Sequence, residues 1–215
     1  MKHISLMENI SGYKSFKTEA AAQLTERRSV FVGTAAPATD EDEAAAFVRR
    51  TKSAHADATH NVYAWLVRGG ANARCSDDGE PAGTAGAPVL DVIRKSGCVN
   101  ACVVVSRTFG GILLGAGGLV RAYSAAAKLA VEAAGIVEYE PFCELAILCG
   151  YSDYQRLAHG LPKYGAVVDN CEFADGVRLR IAIKARLEGD FRRDVGEMFA
   201  GRVGVDEVGR RFGVV

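Results

Sequence analysis

Arg107-Thr108-Phe109-Gly110-Gly111-Ile112-Leu113-Leu114-Gly115-Ala116-Gly117-Gly118-Leu119-Val120-Arg121-Ala122-Tyr123 is the stretch whose reading decides the fold. Behind it, Val99 to Ser106 is apolar almost throughout, as expected of a strand buried on both faces. Ahead of it, Gly118 to Ala134 has helical periodicity, with Leu119, Val120, Tyr123, Ala127, Leu129, Ala130 and Val131 on the expected inner face and Gly135 as the stop. Five glycines therefore lie where a strand must turn into a helix. Each loses backbone freedom on folding, which is tolerated where φ is positive or where a ligand or second backbone approaches closely.

Working outward, the N-terminal direction reads as a polar, frayed start over Met1 to Lys17, then a strand over Arg28 to Ala35 ended by Ala36-Pro37. Thr39 with Asp42 has capping-box spacing, and acids at the start with Arg49, Arg50 and Lys52 at the end predict a helix from Asp40 to Ala54. Asn61 to Arg68 reads as a strand carrying Trp65, and Gly69-Gly70 as a turn into a partner over Ala73 to Cys75. Pro88 near a first turn and Gly97 as a stop predict a helix over Val89 to Lys95.

Beyond Pro141 a smaller pattern begins. Cys143 to Cys149 is strand-like, Ser152-Asp153 caps a helix to Tyr164, and Ala166 to Phe173 is a second strand. Val177, Leu179, Ile181 and Ile183 alternate with Arg178, Arg180, Ala182 and Lys184, giving one buried and one basic face. Asp190 opens a helix to Phe199, and Val203 to Phe212 closes the sheet. That order, β-α-β-β-α-β, is the ferredoxin-like split βαβ arrangement. The expected class is therefore α+β in two domains, with the boundary between Ile136 and Pro141.

Lys plus Arg equals Asp plus Glu at 26 each, so the formal net charge is +0 and no global attraction to polyanions exists. Any nucleic-acid contact must come from a local basic patch. The cysteines Cys75, Cys98, Cys102, Cys143, Cys149 and Cys171 form no Cys-x-x-Cys pair and sit mainly in apolar runs, which predicts reduced, buried thiols. No apolar run reaches membrane-spanning length, so a cytoplasmic protein without membrane contact is expected.

Gly110 and Gly115 have the Walker spacing, but Ala116-Gly117 stands where Lys and Ser or Thr must hold phosphate and magnesium. Gly115-x-Gly117 fails the dinucleotide fingerprint because Val120 occupies the third glycine position. What survives is a helix N-terminus with free N–H groups at Gly110, Gly111, Gly115, Gly117 and Gly118, to which Arg107 and Arg121 add charge. Asp77, Asp78 and Glu80 crowd three carboxylates into one turn. Turn chemistry accounts for them, and neither a metal nor a cofactor is expected. Compensation is expected from backbone N–H groups or from His60, Arg74 or Arg107. His55 and His60 are five residues apart, which excludes a zincin pair. Neither Cys75 nor Ser76 has an identifiable base.

Three strings together resemble the YigZ family, the bacterial members of the Impact N-terminal domain proteins. They are Thr59-His60-Asn61, the run Ser76 to Gly86, and the glycine-rich stretch quoted above; Thr108 stands where the family has a first aromatic. The resemblance implies residues 16–139 as an Impact N-terminal domain similar to ribosomal protein S5 domain 2 and elongation factor G domain IV. It implies residues 142–215 as a ferredoxin-like domain similar to elongation factor G domain V. Eukaryotic relatives regulate translation. The expectation is a non-enzymatic, translation-associated protein that contacts RNA, a ribosome or a translation-factor surface through Arg107, Arg121, the glycines and the turn at His60, Asp77, Asp78 and Glu80. The competing expectation is a small metal-assisted hydrolase or transferase using His60 with Asp77, Asp78 and Glu80.

Overall fold

A computed structural model describes residues 12–214. The expected frayed start therefore falls mostly outside the described residues. Its last part is ordered: β1 (Tyr13–Phe16) lies within it, with Phe16 fully buried. The chain divides into two compact units, Tyr13–Glu138 and Tyr139–Val215, and the described residues hold two sheets and five α-helices in an α+β architecture.

In the first unit, β2 (Ala20–Glu26), β3 (Ser29–Pro37), β4 (His60–Val67), β5 (Asn72–Ser76) and β6 (Ala101–Thr108) form an antiparallel sheet in the order β2-β3-β6-β4-β5. The central β6 explains the apolar run in the sequence. Val103 and Val105 face one cluster with α2 (Gly86–Lys95) and α3 (Ala116–Ala134), while Cys102 and Val104 face a second cluster with α1 (Glu41–Ala54). Both faces of the strand are thus covered, so alternation disappears from its sequence.

The helices differ from expectation at their edges. Asp40, not Thr39, caps α1: its side chain accepts from the Glu43 N–H, and Glu43 in return takes the Thr39 N–H and hydroxyl. On α3, Val120 and Leu129 are each 38% exposed, and the inner face is completed by Ala122, Ala126 and Ala134. Small alanines let this helix lie close to β3, where Gly33 would bring a Cβ to 2.5 Å from the Ala126 carbonyl oxygen.

The second unit holds β7 (Ile136–Cys149) from Tyr139 onward, α4 (Tyr151–Gly160), β8 (Val167–Phe173), β9 (Val177–Lys184), α5 (Glu188–Phe199) and β10 (Gly204–Val214). Within its five-stranded sheet, β10, β7, β9 and β8 run antiparallel in that order. Cys143, Leu145 and Ile147 of β7 and Leu179, Ile181 and Ile183 of β9 pack against Leu157, Phe191, Val195 and Phe199 of the helices. The expected cap at Ser152-Asp153 is replaced by Gly150, with no side-chain cap bond, and a 3-10 turn over Leu161–Tyr164 follows α4.

Candidate cleft at the start of the third helix

The glycine loop is a fixed structure, and its backbone shows why. A Cβ at Gly110 would lie 2.0 Å from the Arg28 carbonyl, so the loop presses directly on the turn between β2 and β3. The Gly110 N–H donates to Ser29 Oγ at 3.2 Å and the Phe109 N–H to Thr59 Oγ1 at 3.1 Å. Gly111 and Gly115 have φ of +84° and +71°, which a side chain would strain. Gly117 is helical, and a Cβ there would meet only Arg121 Nη1 at 3.6 Å. The side chains of Ile112 and Leu113 project from this anchored frame, with Leu113 80% exposed.

Beneath the loop a cleft of about 420 Å³ is lined by His60, Glu80 and Arg107, by the apolar Pro81, Phe109, Leu114 and Leu119, and by Gly115 and Ala116 at the start of α3. No side chain caps that helix start. Arg107 is buried and donates from Nη1 to Glu80 Oε1 at 2.6 Å, while its ring-facing guanidinium lies 5.4 Å from both Phe31 and Phe109. Tyr123 donates its hydroxyl to the same Oε1 at 2.7 Å. Burial first, and then the Glu80 carboxylate, push the Tyr123 phenol far above its ordinary value, so it remains a donor. Arg107 Nε is buried without an acceptor, and among the described residues no donor reaches Glu80 Oε2.

His60 completes the wall. Its Nδ1 lies 2.8 Å from the Asp78 carbonyl oxygen, which can only accept, so Nδ1 carries the proton. Nε2 is left on the cleft side, 4.0 Å from Glu80 Oε1. Gly79 fits against this ring, where a Cβ would approach Nδ1 to 3.3 Å.

The other acids of the turn do different work. Asp77 accepts from the N–H groups of Gly83, Ala85 and Gly86, tying the turn to the start of α2. Partial burial pushes its carboxyl up, but those three donors outweigh it and hold the pKa below the ordinary value. Asp78 takes the Asn61 N–H at 2.6 Å and Lys52 Nζ at 2.6 Å. The three carboxylates therefore point to three separate sets of partners. This removes the shared oxygen cluster on which the metal-assisted alternative rested. Arg74 lies over the Trp65 ring and compensates none of them.

Arg107 and Arg121 are not brought together. Arg121 borders a separate groove with Glu26, Arg27, Leu114 and Gly118, whereas Arg107 is committed to Glu80 inside the first cleft. Arg107 and Arg121 therefore face different grooves that share Leu114 of the intervening loop, and do not converge on one anion. Ser29, which accepts from the Gly110 N–H and Arg107 Nη2, and Lys52, which reaches Asp78, carry no sequence signal because tertiary pairing alone sets these bonds. In the second unit Cys143, Glu188 and Glu207 bring ligand atoms within 4.8 Å of one another. Arg192 and Arg210 already hold the two carboxylates, and burial followed by Glu188 pushes the Cys143 thiol up to about 12. All six cysteines are free, with Cys75 exposed, unlike the expected burial. Among the described residues no helix is long and apolar enough to cross a membrane.

Comparison with known proteins matches residues 27–131 to the Impact N-terminal domain and residues 147–202 to a domain of unknown function, DUF1949. IMPACT family member YigZ of Escherichia coli is 32% identical over 178 residues, covering 81% of this chain and 87% of that protein. A family member of Thermus thermophilus is 38% identical over 166 residues, covering 76% and 88%, and YvyE of Bacillus subtilis is 28% identical over 201 residues, covering 92% of each. A solved structure titled as a hypothetical protein superposes with a TM-score of 0.62 at 28% identity, covering 94% of this chain and 99% of that one. With the glycine loop, the acidic turn and the two matched domains in one chain, it belongs to the IMPACT family.

Proposed function

We propose that this chain is a non-enzymatic, translation-associated binding protein that docks on a ribosomal or translation-factor protein surface through the loop Phe109 to Leu114. The observation that carries the reading is the combination of an exposed apolar tip with a fixed frame. Leu113 is 80% exposed and Ile112 39%, yet Gly110 is pressed on the Arg28 backbone and held by Ser29. A preorganised apolar projection binds with little ordering cost, and apolar anchors contribute most when a partner desolvates them. The burial of Arg107 against Glu80 favours this over an RNA-backbone contact at that residue. The family resemblance implies domains similar to ribosomal protein S5 domain 2, elongation factor G domain IV and elongation factor G domain V, and that implied analogy of fold is in keeping with a ribosomal setting.

The test is co-sedimentation of the purified full-length protein with ribosomes at two salt concentrations. Wild type is expected to sediment with the particles with little salt dependence. Leu113→Asp is expected to remain at the top of the gradient while unfolding within about 0.5 kcal/mol of wild type, because the site is exposed. Sedimentation of Leu113→Asp equal to wild type, or failure of wild type to sediment, would overturn the reading. Steeply salt-dependent binding to ribosome-free RNA would return the function to nucleic acid.

A further inference from the structure

We propose that the partner receiving Leu113 is a protein segment with two or more carboxylates beside an aliphatic residue, held by Arg27, Arg28 and Arg121; this rests on the docking reading above and names its partner. Arg27 and Arg28 are the two central residues of the tight turn between β2 and β3, whose last pair is Glu26 with Ser29. Both take left-handed backbone, with φ of +46° and +67°. A two-residue turn of this kind is ordinarily Asn-Gly, because most side chains are strained at positive φ. The chain instead holds two exposed arginines there, at a cost to its own stability. Turn chemistry does not account for that choice, whereas a surface that needs two guanidiniums at this place does.

The turn is tied to the docking loop. Arg27 donates from Nη1 to the Leu113 carbonyl oxygen at 3.3 Å, and the Arg28 carbonyl lies against Gly110. Arg27 also lines a groove of about 260 Å³ with Arg121 and Leu114. Glu26 is the one carboxylate in that lining, and among the described residues no acid forms an ion pair with Arg27, Arg28 or Arg121. Three guanidiniums against one carboxylate leave the edge of the loop basic in a chain whose net charge is +0. The arginine fork takes a carboxylate or a phosphate equally well. The apolar component decides between them. Leu113 and Ile112 are aliphatic and exposed, which suits a protein side chain, whereas an RNA site offers aromatic faces to its bases. Phe109, the aromatic of the loop, already carries the Arg107 guanidinium over its ring. Exposed ion pairs add selectivity more than affinity, so docking keeps the shallow salt dependence of its apolar anchor.

The experiment uses the full-length protein with purified ribosomes. Arg27→Asn combined with Arg28→Gly relieves the turn, so this double variant is expected to unfold about 2–4 °C above wild type. Its co-sedimentation is nevertheless expected to weaken about fivefold, in the range of two exposed ion pairs. Arg27→Lys combined with Arg28→Lys keeps the charge and is expected to bind more tightly than that first double variant. A photo-crosslinking p-benzoylphenylalanine in place of Ile112 is expected to join a ribosomal protein or bound factor within a segment rich in Asp and Glu. The partner assignment fails alone, with docking intact, if the first double variant sediments like wild type while Leu113→Asp does not. It also fails if Arg27→Lys with Arg28→Lys restores no binding, or if the cross-link falls on RNA or on a segment without acidic residues. A wild type that does not sediment, or Leu113→Asp sedimenting like wild type, overturns the docking reading and this inference with it.

Discussion

Truncating Arg107 leaves Glu80 buried without its guanidinium, and that asymmetry governs the residue scale. Arg107→Ala is expected to lose about 3–5 kcal/mol, the usual cost of breaking a buried pair from one side. Arg121→Ala, at an exposed position, should stay within about 0.5 kcal/mol. Urea denaturation of both variants checks the contrast, and equal losses would mean that the Arg107 to Glu80 pair does not form as described. The glycines divide in the same way. Gly110→Ala forces a Cβ to 2.0 Å from backbone and should prevent a cooperative native transition. Gly117→Ala meets only the end of Arg121 and should gain about 0.5–1 kcal/mol, since alanine suits a helix better than glycine. Sequence alone located this loop but could not rank its glycines. Their difference lies in the distant Arg28 backbone, which stands beside Gly110 and not beside Gly117.

At the scale of elements, the pairing of turn to helix at Asp77 makes a pH-dependent prediction. Its folded pKa is lowered, so its contribution is full above the unfolded value, about 3.9 for an aspartate, and disappears as pH falls through the folded one. Asp77→Asn should therefore be less stable than wild type near neutrality, by about 0.5–2 kcal/mol in line with a lost cap at α2. The gap should close progressively below about pH 4, where wild type protonates. Thermal unfolding of both proteins across that range decides it; a gap that is constant or widens in acid contradicts the assignment. Element positions were legible wherever periodicity was strong, as at β6, α3 and β9. β2 was missed because Ala20–Glu26 is alanine-rich and only partly buried at a sheet edge, so it carries little apolar alternation. The cap of α1 slipped by one residue because Thr39 and Asp40 are both good caps, and only the bond to Glu43 separates them.

On the scale of the whole molecule, the decisive feature is how the buried clusters divide along the chain. Among the described residues, the two buried clusters of the first unit draw on residues from Phe16 to Ala134, and that of the second on residues from Cys143 to Val203. A unit with its own buried cluster can supply its own cooperativity, and β10 pairs with β7 over Tyr139 to Leu148 inside the second unit. The split near residue 139 was legible as a change of pattern, from a long alanine-rich helix to short strands and helices. The full length of β7 was not, because Ile136 to Pro141 is half-exposed and lacks a buried stripe. We predict that residues 13–138 and 139–215, expressed separately, each give a single cooperative thermal transition with coincident near- and far-ultraviolet dichroism. The second fragment is the sharper test, since a unit of this size has a small core and loses cooperativity readily if any packing surface is missing. A molten second fragment that regains cooperative unfolding only when the first is added would show that the two cores are mutually dependent, and would replace two domains by one.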